Sequence, residues 1–87
     1  MSAHPSHPDV IKRLKRAEGH LRSIVAMLEG GRDCLEIAQQ MQAVESAVAN
    51  AKKTLVHDHI DHCLEHAVEG ANPRDAIRAF KAIAKYL

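Results

Sequence analysis

The sequence predicts an all-α chain of three helices organised around one long central helix, and three observations predict it. Apolar residues recur at alternating spacings of four and three along two stretches, the signature of one helix face. Beyond residue 8, Gly and Pro gather at only two places, Gly30-Gly31 and Gly70 to Pro73, with Gly19 alone outside them. The composition is 46% hydrophobic but only 2% aromatic, so the core is Ala, Leu, Ile, Val and Met. That palette suits packed helices better than sheets.

Residues 1–8 read as a flexible arm carrying His4 and His7, and residues 9–87 as a single domain. Pro8-Asp9 starts the first helix, with an acid in its first turn. Val10, Leu14, Ala17, Leu21, Ile24 and Leu28 form its apolar seam, and Lys12, Arg13, Lys15, Arg16 and Arg22 occupy the opposite face. Gly19 predicts a close packing contact. Gly30-Gly31 ends the helix. Asp33 then caps the second helix, with Glu36 as its capping-box partner, which places Cys34 in the first turn. The seam Ile37, Met41, Val44, Val48, Ala51, Leu55 runs through it, widened by Ala38, Ala47, Ile60, Leu64 and Ala67. After the break, Asn72 caps a third helix over about 73–86 with Pro73 at its first position. Ala76, Ile77, Phe80, Ile83, Ala84 and Leu87 share one side of it.

A second helix of about 33 residues, apolar on two faces, is too long for an 87-residue monomer to cover. An oligomer is therefore expected. The chemistry points the same way. His57, His59, His62, Cys63 and His66 fall within ten residues of the uninterrupted second helix. His59 and Cys63 lie one turn apart on one face, as do His62 and His66. An imidazole and a thiolate so placed are half of a soft transition-metal site. Cys34 of the same chain cannot complete it, because at 1.5 Å per residue it lies about 37 Å from His59. The same arithmetic excludes a disulfide within one chain. An antiparallel helix pair crossing near Ala47 and Val48, where the residues are small, brings Cys34 of one copy beside His59 and Cys63 of the other. Symmetry then gives two identical sites per dimer.

The net charge of +1 hides an uneven distribution of basic residues. Lys12, Arg13, Lys15 and Arg16, joined by Lys52 and Lys53, are candidate phosphate contacts for DNA. No apolar run approaches the length of a membrane span. The N-terminus lacks the pattern of a secretory signal. Two cysteines without such a signal point to a reducing compartment, hence the cytoplasm. The sequence offers no substrate pocket and no acid-base pair outside the candidate site, so an enzyme is not expected.

The stretch from Asp9 through Arg13, Gly19-His20-Leu21 and Arg22, followed by Cys34 and by His59-x-x-x-Cys63, resembles the CsoR/RcnR-like metal-sensing repressors, the copper-sensitive-operon and nickel/cobalt-resistance regulators. The resemblance covers residues 9–87. It implies an antiparallel dimer that pairs into a disc-shaped homotetramer, operator DNA bound without metal and released with it, and an inter-subunit site of Cys34, His59 and Cys63. Copper sensors of this family often carry a Tyr before the first cysteine and a Glu in the third helix, where this chain has Asp33 and Ala79.

Two thiolates and one imidazole suit trigonal Cu(I), whereas Ni(II) prefers four donors in a plane. The resemblance implies that nickel sensors draw the fourth donor from the N-terminal arm. His4 and His7 are the candidates, with His62 as a further one. The arm and the missing copper-sensor partners favour Ni(II), with Co(II), over Cu(I); Zn(II) follows. His20 is expected to make a structural hydrogen bond, and Met27 and Met41 to be core. A metal-buffering protein and a formaldehyde- or persulfide-sensing relative are the rival readings.

Overall fold

The structure, a computed structural model, describes residues 4–70 and 72–87, with the backbone alone at 66–69. Residues 1–3 of the expected arm and the side chains of His66 and Ala67 lie outside the described residues. Three helices follow in order: α1 (His7–Glu29), α2 (Cys34–Glu69) and α3 (Pro73–Ala84). There is no strand among the described residues. α1 and α3 each pack on α2 and make no contact with each other.

α1 begins at His7, two residues before the expected start, with Pro8 in its first turn. Ser6, at the cap position, makes no side-chain cap bond. Its hydroxyl is instead engaged by Asp58 of α2. At the other end, the Gly30 amide donates to the Ala26 carbonyl at 2.9 Å and the Arg32 amide to Met27 at 3.0 Å. Gly31 adopts φ 69°, a left-handed conformation that glycine takes without strain. The chain reverses there, and α2 runs back along α1. The capping box expected at Asp33 and Glu36 takes another form. The Arg32 guanidinium donates to the Glu36 carboxylate, so a nearer cation has claimed the group that would have reached back to the cap.

α2 is a single helix of 36 residues, which makes the two ends of the predicted site as remote as the helix-rise argument requires. α3 is capped as expected: the Asp75 amide donates to Asn72 Oδ1 at 3.4 Å, and Pro73 follows the cap. It ends at Ala84, two residues short of the expected end.

The apolar seams divide in two. On α1, Val10, Ala17 and Ile24 are buried, while Leu14, Leu21 and Leu28 are 44, 49 and 57% exposed. On α2, Ile37, Val44 and Ala51 are buried, while Met41, Val48 and Leu55 stay exposed. The buried members repeat every seven residues and form the contact between the two helices, with Ile24, Ile37 and Val44 as its centre and Met27 packed against them. The other half of each seam faces away. The chain measures 57 × 23 × 13 Å, a slab too thin to enclose both faces of its helices. Full burial of a Leu side chain stabilises by about 1.5–3 kcal/mol, and this chain alone leaves most of that unrealised at Leu14, Leu21 and Leu28. The close contact expected at Gly19 is likewise absent among the described residues: an added Cβ would meet Arg22 Nη2 there, at 3.8 Å.

Candidate metal centre

α2 carries the site near its C-terminal end. Cys63 is buried and His59 half-buried, one turn apart. α3 closes over them. His59, His62 and Cys63 share a cleft of about 330 Å³ with Asn72, Asp75, Ala76 and Ala79 of the third-helix region. Ala79 therefore stands at the wall of the cleft, where the family resemblance placed a copper sensor's Glu, and offers no donor there. Asn72 and Asp75 were not anticipated as lining residues. Their sequence signals, a cap and a first-turn acid, describe how α3 starts and say nothing of what it faces.

The N-terminal residues approach the same region. His4 lies 5.0 Å from His62 and 6.3 Å from His59 between ring centroids. His7 stacks on His4 at 4.4 Å with an interplanar angle of 13°. Among the described residues, His4 is the arm histidine in ring contact with the α2 histidines. Asp58 holds this segment in place. Its Oδ2 accepts from the Ser6 amide at 3.3 Å and from the Ser6 hydroxyl, and lies 3.6 Å from His4 Nδ1. The Ser6 hydroxyl bond, ahead of the partial burial that opposes it, holds the Asp58 carboxyl below the usual carboxylate range. Sequence reasoning missed Asp58 and Ser6, because the path of a non-helical segment carries no period to read. His57 is exposed.

Cys34 is exposed, at the opposite end of α2. The structure thus gathers His4, His7, His59, His62 and Cys63 at one end and leaves Cys34 apart. Within one chain the donors present are one thiol and several imidazoles, a set that fits a borderline transition metal.

The basic residues are all exposed. Arg13 and Arg16 line a groove with His20, Ala47 and Asn50 between α1 and α2. Lys12, Lys15 and Arg16 border a shallow depression on α1 beside Pro8 and Ile11. Lys52 and Lys53 line a third hollow, with His57, Tyr86 and Leu87. Arg13 Nε donates to Asp9 Oδ2 at 2.8 Å on the helix surface, an exposed pair worth about 0–1 kcal/mol. His20 makes its expected structural bond, Nε2 to Gln40 Oε1 at 2.6 Å, tying α1 to α2.

Fold and site together define a class: helical chains with an exposed apolar flank, a basic first helix and a cysteine-histidine cluster at one end of a long second helix. The chain belongs to the metal-sensitive transcriptional repressor family of CsoR/RcnR type, whose family model matches residues 6–85. It is 38% identical over 68 residues to the copper-sensing transcriptional repressor CsoR of Bacillus subtilis, a match covering 78% of this chain and 67% of that protein. It is 37% identical over 62 residues to the copper-sensing repressor RicR of Mycobacterium tuberculosis, covering 71% of this chain and 65% of that one. The match to CsoR of Mycobacterium ulcerans, 36% identical over 77% of this chain, spans only 57% of that protein's length. Among solved structures, the nickel-responsive transcriptional regulator InrS superposes with a TM-score of 0.85 at 26% identity, covering 100% of this chain and 99% of that one.

Proposed function

We propose that this chain is a cytoplasmic repressor that binds operator DNA without metal and releases it on binding a transition metal, with Ni(II) or Co(II) as effector. The observation that carries the reading is the gathering of His4, His59, His62 and Cys63 at one end of α2 while Cys34 lies about 37 Å away along the same helix. Such a donor set is completed by Cys34 of a second, antiparallel copy. The exposed seam residues Leu14, Leu21, Leu28, Met41, Val48 and Leu55 supply the apolar surface for a homodimer and homotetramer. His59 and Cys63, with Cys34 from the second copy, hold the ion, and His4 supplies the fourth donor that square-planar nickel prefers. The ion supplies a bridge between the two copies.

DNA contact falls to Lys12, Arg13, Lys15 and Arg16, with Lys52 and Lys53. The two adjoining α1 surfaces, which share Arg16, and the Lys52–Lys53 surface become one when copies assemble. Counterion release supplies much of the affinity, and with no recognition helix the specificity rests on DNA shape. A second reading is Cu(I) sensing by Cys34, His59 and Cys63 alone, favoured by the curated relatives, which are named as copper-sensing. Titration of the reduced protein with Ni(II) and with Cu(I), followed by absorption spectra and operator gel shifts, separates them. Square-planar Ni(II)–thiolate bands with DNA release support nickel. DNA release by Cu(I) alone moves the assignment to copper.

A further inference from the structure

We propose that His4, His7 and Asp58 form a second metal site, built only from nitrogen and oxygen donors, that takes divalent Zn(II), Co(II) or Ni(II) without help from either cysteine. One ligand atom from each residue lies within 4.8 Å of the other two. Imidazole and carboxylate ligands sit about 2.0–2.2 Å from such an ion, so two ligands of one ion are separated by roughly 3–4 Å. His4 Nδ1 and Asp58 Oδ2, 3.6 Å apart, already meet that condition, and His7, whose ring stacks on His4, must turn its ring to direct a nitrogen at the same ion. The site is braced. The Ser6 amide and hydroxyl both donate to Asp58 and fix the carboxylate, the kind of outer support that metal-binding carboxylates use. The His4 and His7 rings stack almost in parallel, so two imidazoles are presented side by side to one acid. A latch fastening the arm would need only Ser6 and Asp58.

Burial and charge agree with an exchangeable site. The His4 and Asp58 side chains are each 16% exposed and His7 is exposed, so a bound ion keeps water in its remaining positions. The amide dipoles at the start of α1 oppose a cation, and the Asp58 carboxylate offsets them. With no sulfur donor the site does not compete for Cu(I), and imidazole with carboxylate suits the borderline divalent ions. The site does not depend on the thiolate reading, because none of its ligands carries sulfur. The two meet only at His4, which can serve one ion at a time. A copper-loaded chain can hold both ions, whereas a nickel-loaded chain using His4 must give up one.

The test is Co(II) titration, followed by d–d absorption, of two proteins: the Cys34→Ser/Cys63→Ser variant, with its helicity checked by circular dichroism, and the reduced wild type carrying one equivalent of Cu(I) per chain. One Co(II) per chain without a thiolate-to-cobalt charge-transfer band is the expected result. His7→Ala and Asp58→Asn, each placed in the thiol-free background, should weaken it by about tenfold or more, the scale seen for loss of even an outer-shell partner. If the thiol-free variant does not fold, the Cu(I)-loaded protein decides; if wild type fails to hold Cu(I), the thiol-free variant decides, and that failure counts against the thiolate reading alone. No Co(II) binding in the deciding protein, or binding that neither substitution weakens, overturns the second site.

Discussion

His59 joins the thiol side of the cluster to the arm, sharing a cleft with Cys63 and lying near His4. His59→Ala leaves both thiols in place. Under the proposed function this variant keeps operator binding and loses release by metal. Gel shifts across a metal titration check it, and normal release would remove His59 from the coupling. The basic residues make a second test at this scale. Arg16 lies at the border of two basic depressions, whereas Arg13 is paired with Asp9. Arg16→Ala should lower the slope of log affinity against log salt by about one, leaving metal affinity unchanged. An unaltered slope would place the DNA face elsewhere.

At the scale of elements, the split seams separate residues that hold the chain together from exposed residues that, under the proposed function, hold chains to each other. Ile24 sits in the α1–α2 contact with Ile37 and Val44. Ile24→Ala should cost about 2–5 kcal/mol through lost transfer energy and a residual cavity, read as a fall in the denaturation midpoint. Leu21, three residues earlier, is half exposed in the single chain. Leu21→Ala should act mainly on assembly, making the midpoint more dependent on protein concentration. The α3 cap is a smaller term. Asn72→Ala removes the acceptor for the Asp75 amide and should cost about 1 kcal/mol, with α3, which closes the metal cleft, fraying first in hydrogen exchange.

For the whole molecule, an elongated slab of 57 × 23 × 13 Å with an exposed apolar flank is expected, under the proposed function, to be stable only as part of an assembly. Sedimentation of the metal-free protein should show no folded monomer at micromolar concentration, and a folded monomer would remove both the oligomer and the shared site. In the proposed assembly, metal and DNA act on one geometry. Under the proposed function, an ion bridging Cys34 of one copy to His59 and Cys63 of another would fix how two α2 helices lie, and the basic residues ride on α1 and the middle of α2. Reciprocity requires DNA to weaken metal affinity by the factor by which metal weakens DNA affinity, typically about 1–3 kcal/mol of coupling. Parallel metal titrations with and without operator DNA measure it.

The sequence by itself determined the three helices, the turn at Gly30-Gly31, the Asn72-Pro73 start of α3 and the separation of Cys34 from Cys63. All are consequences of local backbone chemistry and fixed helix rise, which a linear pattern encodes directly. It also identified which histidines share a turn with a cysteine. The tertiary structure alone decided which half of each seam is buried in the chain, because both halves have the same spacing and composition. It also decided that Glu36 turns to Arg32, that Gly19 meets no close neighbour among the described residues, and that Asp58 draws Ser6 and His4 onto α2. Those outcomes depend on which groups meet across space after the chain reverses, and no residue spacing records that meeting.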